Sequence, residues 1–271
     1  MNDLSHRFPV RRRLRTRLDA PLAVRRPVLI VLHQEHSTPG RVGRLIAERG
    51  HALDIRRPRF GDPLPATMRD HAGAVIFGGP MSANDPDAFV KAEIDWIGVC
   101  LKEEAPFLGL CLGAQMLARH LGATVYGHCE GRAEIGYYPL ALTQAGEADA
   151  AATGCIWPGT VYQWHREGFD CPSGAECLAT GGDFPVQAIR VGARAYGLQF
   201  HPEVTLAMMC RWSVRAHERT LMPGAQLRHQ HLAGWYEYDP PVRAWLDRFL
   251  DHWLGTPALA PALSRASAIR A

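Results

Sequence analysis

Three short apolar runs, at 28–32, 74–77 and Phe107–Leu110, punctuate the first 110 residues. They lack polar alternation, as expected of strands buried on both faces. A more mixed run at 52–56 reads as a further strand. Helical stretches at 39–49 and 85–104 lie between them, and another at 112–121 is closed by Gly122. This spacing predicts an α/β fold with a flavodoxin-like, doubly wound and mostly parallel central sheet. After residue 123 the pattern changes. The segments 124–128, 135–142, 161–165, Glu176–Thr180, Val186–Val191 and 196–200 read as strands with few helical signals between them. Antiparallel additions to the same sheet are expected. Helices are expected at 203–219 and 239–254, the second with Asp239 as N-cap and Pro240 in its first turn.

The net charge of +3 is unevenly spread. Residues 1–26 hold eight Arg and two Asp, and the last sixteen residues hold two Arg and no acid, so the body between them is net negative. That body offers no basic face for nucleic acid. We therefore expect a basic, disordered arm at 1–26, one domain at 27–255, and a frayed tail at 256–271. Contact with anionic partners and organelle targeting are the alternatives for the arm. No apolar run approaches the ~20 residues of a membrane-spanning helix. Seven cysteines in no paired framework suggest free thiols in a reducing, cytoplasmic setting, although Cys171 and Cys177 are close enough in sequence to form a clip.

The most informative segment is Phe107-Leu108-Gly109-Leu110-Cys111-Leu112-Gly113-Ala114-Gln115. A buried strand runs into Cys111 and a helix starts directly after it, with Gly109 and Gly113 flanking the thiol. This is the cysteine counterpart of a nucleophile elbow. Such a turn lifts the side chain out of the sheet. It also sets the free N–H groups and positive end of a helix against the sulfur, stabilising negative charge there and on an oxyanion nearby. A buried structural cysteine is the competing reading.

A thiolate nucleophile needs a base that can also protonate a leaving amine, usually a histidine held by a carboxylate. Of thirteen histidines, His201 in Gln199-Phe200-His201-Pro202-Glu203 is the best placed. It ends a strand, where open α/β sheets form their ligand crevice, and Glu203 can fold back onto its imidazole. A loop histidine before a helix-starting Pro-Glu is the alternative.

Gly-Leu-Cys-Leu-Gly-Ala-Gln, 90 residues from cysteine to histidine, and Gln-Phe-His-Pro-Glu together resemble the class I (triad) glutamine amidotransferases. The upstream Gly78-Gly79-Pro80 resembles that family's oxyanion loop. The likeness runs over about 28–219 and is nearest to the glutaminase domain of GMP synthases and its stand-alone relatives. It implies Cys111 as nucleophile, His201 as general base and acid, and Glu203 as orienter. It also implies an oxyanion hole from the backbone N–H groups of Gly79 and Leu112, with Gln115, Trp164 and His165 at the substrate. In 162–167 the family usually places a small polar residue before its histidine; Trp164 stands there instead. Arg166 and Glu167 depart likewise, which suggests a pocket reshaped for something other than free glutamine.

The resemblance implies hydrolysis of a γ-glutamyl amide, with no cofactor and no metal. The chain has neither a phosphate loop nor a dinucleotide-binding glycine motif. The expected small-molecule partner is a γ-glutamyl compound, and a separate synthetase or a second copy of the chain is the expected protein partner. A stand-alone hydrolase, a glutaminase subunit feeding a synthetase, and a non-catalytic binding protein on the same fold all remain open here. His128-Cys129-Glu130 and His229-Gln230-His231 are read as surface or loop residues rather than metal ligands. The aromatic run from Trp235 to Tyr238, with Trp245, Phe249 and Trp253, is read as the anchor of the C-terminal helix.

Overall fold

A computed structural model describes residues 25–255. The expected arm and tail fall outside this range, except Arg25 and Arg26, which open the first strand. Eight strands form the central sheet. They are β1 (Arg25–Val31), β2 (His51–Arg56), β3 (Gly73–Ile76), β4 (Phe107–Leu110), β7 (Ala141–Leu142), β10 (Glu176–Thr180), β11 (Val186–Val191) and β12 (Ala195–Leu198), in the order β2-β1-β3-β4-β12-β11-β10-β7. The first five are mutually parallel, and β11, β10 and β7 continue antiparallel.

Parity along the parallel strands divides the core. Val28, Ile30, Val75, Leu108 and Leu198 face α1 (Gly40–Glu48) and α6 (Arg228–Leu254), where Trp245, Phe249 and Trp253 are buried. Leu29, Val31, Ala74, Ile76 and Phe107 face α2 (Ala88–Lys102) and α3 (Leu112–His120). Helices on both faces explain why these strands read as continuous apolar runs. α5 (Leu206–Arg215), capped by Thr205 onto the Met208 N–H, follows β12.

The second half departs from expectation in three places. Not all the later strands join the main sheet. β5 (Val125–Gly127) pairs only with β9 (Glu167–Phe169), and β6 (Glu134–Pro139) pairs with β8 (Thr160–His165) in a separate hairpin. The helix α4 (Gln144–Thr153) lies between the expected strands 135–142 and 161–165, where no helix was expected. It has almost no apolar stripe, burying only Gly146 and Asp149, and is defined by the Thr143 cap and Gly154 at its end. Finally, α6 begins eleven residues before Asp239 and carries Pro240 and Pro241 inside it. Tertiary contacts override the prolines. Asp239 binds the Arg41 guanidinium (2.6 and 2.9 Å) rather than capping a helix. His231, expected at the surface or in a loop, is fully buried in α6, its Nδ1 accepting from the Tyr162 hydroxyl (3.0 Å) and its Nε2 donating to the Gln226 carbonyl (2.9 Å).

All seven cysteines are free, so Cys171 and Cys177 form no clip. Among the described residues no helix is long and apolar enough to cross a membrane.

Candidate active site

Three neighbouring strands end at one level. Ile76 of β3 is opposite Gly109 of β4, and Leu110 of β4 is opposite Leu198 of β12. The residues that follow are Gly78-Gly79, Cys111 and His201, so the register delivers all three candidate elements to the carboxyl edge of the parallel sheet. Cys111 is tied into this edge by its N–H, which donates to the Leu198 carbonyl (2.8 Å), and the His201 N–H donates to the Tyr162 carbonyl of β8 (2.9 Å).

Cys111 occupies the sharp turn expected between strand and helix. Its φ of 50° and ψ of −104° are strained for a residue with a side chain. The glycines around it are required by close approach rather than by their own torsions. A Cβ on Gly109 would lie 2.4 Å from the Gly113 carbonyl oxygen, and one on Gly113 would lie 2.1 Å from that of Ile76.

The His201 ring is 5% exposed, and its Nδ1 donates to Glu203 Oε1 (2.7 Å). Its Nε2 has no hydrogen-bond partner; the Cys111 sulfur is a neighbour whose negative charge favours the protonated ring. Burial disfavours the imidazolium, but the Glu203 carboxylate and the Cys111 sulfur outweigh it and raise the His201 pKa to about 10. Carboxylate, imidazole and sulfur are thus neighbours, and the ring can hold a proton near the sulfur and release it to a group bound there.

Leu112 opens α3. Ala114 and Gln115 already donate to the Cys111 carbonyl (3.0 Å each), whereas the Leu112 N–H has no carbonyl one turn back to bond. Gly79 is close by, since a Cβ on it would lie 3.1 Å from Leu112 Cδ2. A Cβ on Gly78 would meet His201 Cε1 at 2.9 Å and the Cys111 sulfur at 3.8 Å. The Gly78–Gly79 loop therefore lies directly against the cysteine–histidine pair, as a donor to an oxyanion must.

The residues expected at the substrate have separate placements. Gln115 is 3% exposed, and its amide donates to the Glu167 carbonyl (2.8 Å) and, longer, to Gln199 Oε1 (3.3 Å). It braces the wall formed by β9. His165 points inward, donating from Nδ1 to the Glu167 carbonyl (2.9 Å) with its Nε2 3.0 Å from Glu134 Oε2. Trp164, one residue earlier, takes the opposite face of β8. It packs on Tyr162, on His231 and on Trp212, whose ring meets the His201 imidazole edge-on at 5.1 Å. Trp164 therefore reaches the catalytic histidine candidate indirectly, through Trp212 and Tyr162. Glu167 accepts from the Ser82 hydroxyl (3.1 Å), which links β9 to the segment after the Gly78–Gly79 loop. A surface cavity of about 520 Å³ beside Asn84, Lys91 and Arg119 involves none of these residues.

Two residues at the site carry no sequence signal. His33, two positions beyond β1, and Glu93 of α2 are both fully buried and meet at 2.7 Å. His33 Nδ1 also lies 3.2 Å from the Gly78 carbonyl.

With this geometry in place, the comparisons with known proteins are specific. The family described as glutamine amidotransferase class-I matches residues 40–209. The glutamine amidotransferase-like protein YfeJ of Salmonella typhimurium is 30% identical over 184 residues, which cover 66% of this chain and 76% of that protein. A GMP synthase (glutamine-hydrolyzing) of Porphyromonas gingivalis is 35% identical over 143 residues, 52% of this chain but only 26% of the synthase. Among solved structures, a glutamine amido transferase from Methylobacillus flagellatus has a TM-score of 0.78 at 25% identity, over 86% of this chain and 95% of that one. A glutamine amidotransferase from Thermotoga maritima has a TM-score of 0.73 at 28% identity, over 84% and 97%.

Proposed function

The chain belongs to the glutamine amidotransferase class-I family, and from that premise we propose that it hydrolyses a γ-glutamyl amide through a thioester on Cys111. The observation that carries the reading is the convergence of Cys111 with the His201–Glu203 pair at the ends of adjacent strands β4 and β12.

In this mechanism the Cys111 sulfur attacks the γ-carbonyl carbon, and the carbonyl oxygen becomes an oxyanion facing the Gly79 and Leu112 N–H groups. A donor of that kind contributes about 3 kcal/mol to the transition state. The C–N bond breaks as His201 gives its proton to the departing amine. Glu203 keeps the imidazole in the orientation that allows this. Water, deprotonated by His201, then attacks the thioester and releases glutamate. Gln115 acts by supporting the β9 wall, and Trp164 with Trp212 lines the side of His201. The chemistry is carried by side chains and backbone of 27–255, taken as one catalytic domain. The seven free thiols support a reducing, cytoplasmic setting.

The test is release of ammonia or amine by the purified chain from glutamine and from a panel of γ-glutamyl amides and peptides. A stand-alone hydrolase turns over at least one of them unaided. The likeness to GMP synthase, of which the chain spans 26%, favours a second reading in which the chain feeds ammonia to a separate synthetase. On that reading turnover is slow alone and rises with the partner. If no panel member is cleaved and an electrophilic glutamine analogue leaves Cys111 unlabelled, both enzyme readings fall.

The His201 environment makes a further prediction. Because its folded pKa is raised from 6.5 to about 10, its proton stabilises the fold fully below pH 6.5, and that contribution is lost as pH climbs through about 10. The same proton is the one delivered to the leaving amine, so the alkaline limb of kcat/KM should sit near pH 10. Glu203→Gln removes the charge that lifts it. The limb should move to lower pH, and kcat should fall by about tenfold to a hundredfold. An unmoved limb in the pH profile would show that Glu203 does not govern this proton.

A further inference from the structure

The Gly78–Gly79 peptide is trans, so its carbonyl and its N–H point in opposite directions. The carbonyl is held by His33, whose Nδ1 lies 3.2 Å away. The N–H of Gly79 is therefore aimed away from His33. The Gly78 α-carbon, on the same stretch, faces His201 and the Cys111 sulfur. Between two glycines a peptide plane can rotate with little steric resistance. The reversed plane would present a carbonyl oxygen to the oxyanion instead of a donor. Something outside the loop has to choose between the two orientations.

We propose that the buried Glu93–His33 pair is a positioning device that locks the Gly78–Gly79 peptide with its N–H toward the oxyanion. The proposal rests on the hydrolytic reading above and adds two positioning residues to it. A carbonyl can only accept, so His33 Nδ1 must carry a proton. Glu93 Oε2, 2.7 Å from Nε2, shares a second proton with the ring and fixes its orientation from the other side. Both side chains are fully buried and 60 residues apart in sequence, so solvent does not compete for the bond between them. The chain of contacts runs from α2 through the end of β1 to the loop against Cys111. Neither residue touches the reacting atoms; their effect is exerted through one peptide plane.

The competing explanation is that the pair merely fastens α2 to β1. Three variants at one position separate the two. His33→Leu removes both contacts. In His33→Asn the amide nitrogen overlays Nδ1, which keeps the bond to Gly78 and loses Glu93. In His33→Gln it overlays Nε2, which keeps Glu93 and loses Gly78. Each is assayed for kcat and KM on a cleaved γ-glutamyl amide, and for the rate at which iodoacetamide alkylates Cys111, a displacement that forms no oxyanion.

His33→Leu and His33→Gln should lose about a hundredfold in kcat with KM and alkylation near wild type, and His33→Asn should recover at least about tenfold of that loss. If His33→Leu does not fold, the Asn–Gln contrast decides alone. Equal kcat in Asn and Gln variants, or kcat and alkylation falling together, overturns the proposal. A wild-type chain that cleaves no γ-glutamyl amide overturns the hydrolytic reading and the device with it. An active wild type with an unimpaired His33→Gln variant overturns the device only.

Discussion

Cys111→Ala is expected to lower turnover of a γ-glutamyl amide by at least about four orders of magnitude and to leave the fold in place. Neither of the two other cysteines in the main core can substitute. Cys100 is buried against α3 with its pKa raised to about 12, by burial first, and Cys155 lies in the opposite core cluster. Alanine meets the positive φ at this position with the same Cβ that cysteine has, so the substitution adds no backbone strain. What would persist on the proposed mechanism is binding and the two N–H donors, which alone give modest catalysis. Steady-state ammonia or amine release, with a thermal melt alongside, checks both halves. Retention of more than about one per cent of kcat would remove Cys111 from the mechanism.

Gly113→Ala should produce a large loss of stability, at least about 3 kcal/mol, and leave little folded protein to assay. The added methyl would sit 2.1 Å from the Ile76 carbonyl oxygen and 2.9 Å from its carbon. Ile76 is backbone of β3, paired on both sides in the middle of the sheet. A flexible side chain could swing away from such a contact; a central strand cannot. α3 would have to withdraw from the sheet, carrying Leu112 and Cys111 with it. Gly159→Ala is the control, since nothing lies within 4 Å of its added Cβ, and it should change stability by no more than about 0.5 kcal/mol. Urea midpoints for the two variants give the comparison. Equal midpoints would mean that the helix start has slack that the packing around Ile76 does not suggest.

The parallel half of the fold was legible because its strands are buried on both faces and so leave a composition signal independent of tertiary detail. The later half was not. α4 lacks the apolar stripe by which a helix is recognised, and its marks are a threonine cap and an alanine run. The start of α6 was hidden by Pro240 and Pro241, which ordinarily end a helix. It is sustained by contacts remote in sequence, Asp239 to Arg41 and His231 to Tyr162. At the site, Cys111, His201 and Glu203 could be proposed because each sits in a compact motif at a strand end. His165 belonged to a similar motif, yet its direction depends on the parity of β8, which turns it toward Glu134 while Trp164 faces the other way. His33 and Glu93 had no local pattern at all. Only a fold that brings the end of β1 against the middle of α2 makes them a pair.

The parts of the proposed mechanism hang from β3, β4 and β12, while the sheet's outer members are β2 on one side and the two-residue β7 on the other. Fraying therefore starts beyond β1 on one side and beyond β11 and β10 on the other, away from the chemistry. Amides on β7 and β10 should exchange with solvent through small, frequent openings. The Cys111 amide, held by Leu198 between two inner strands, should exchange only when the whole domain unfolds. Loss of a margin would cost this protein surface before it cost it alignment of sulfur and imidazole, and partial unfolding would not produce a half-assembled centre.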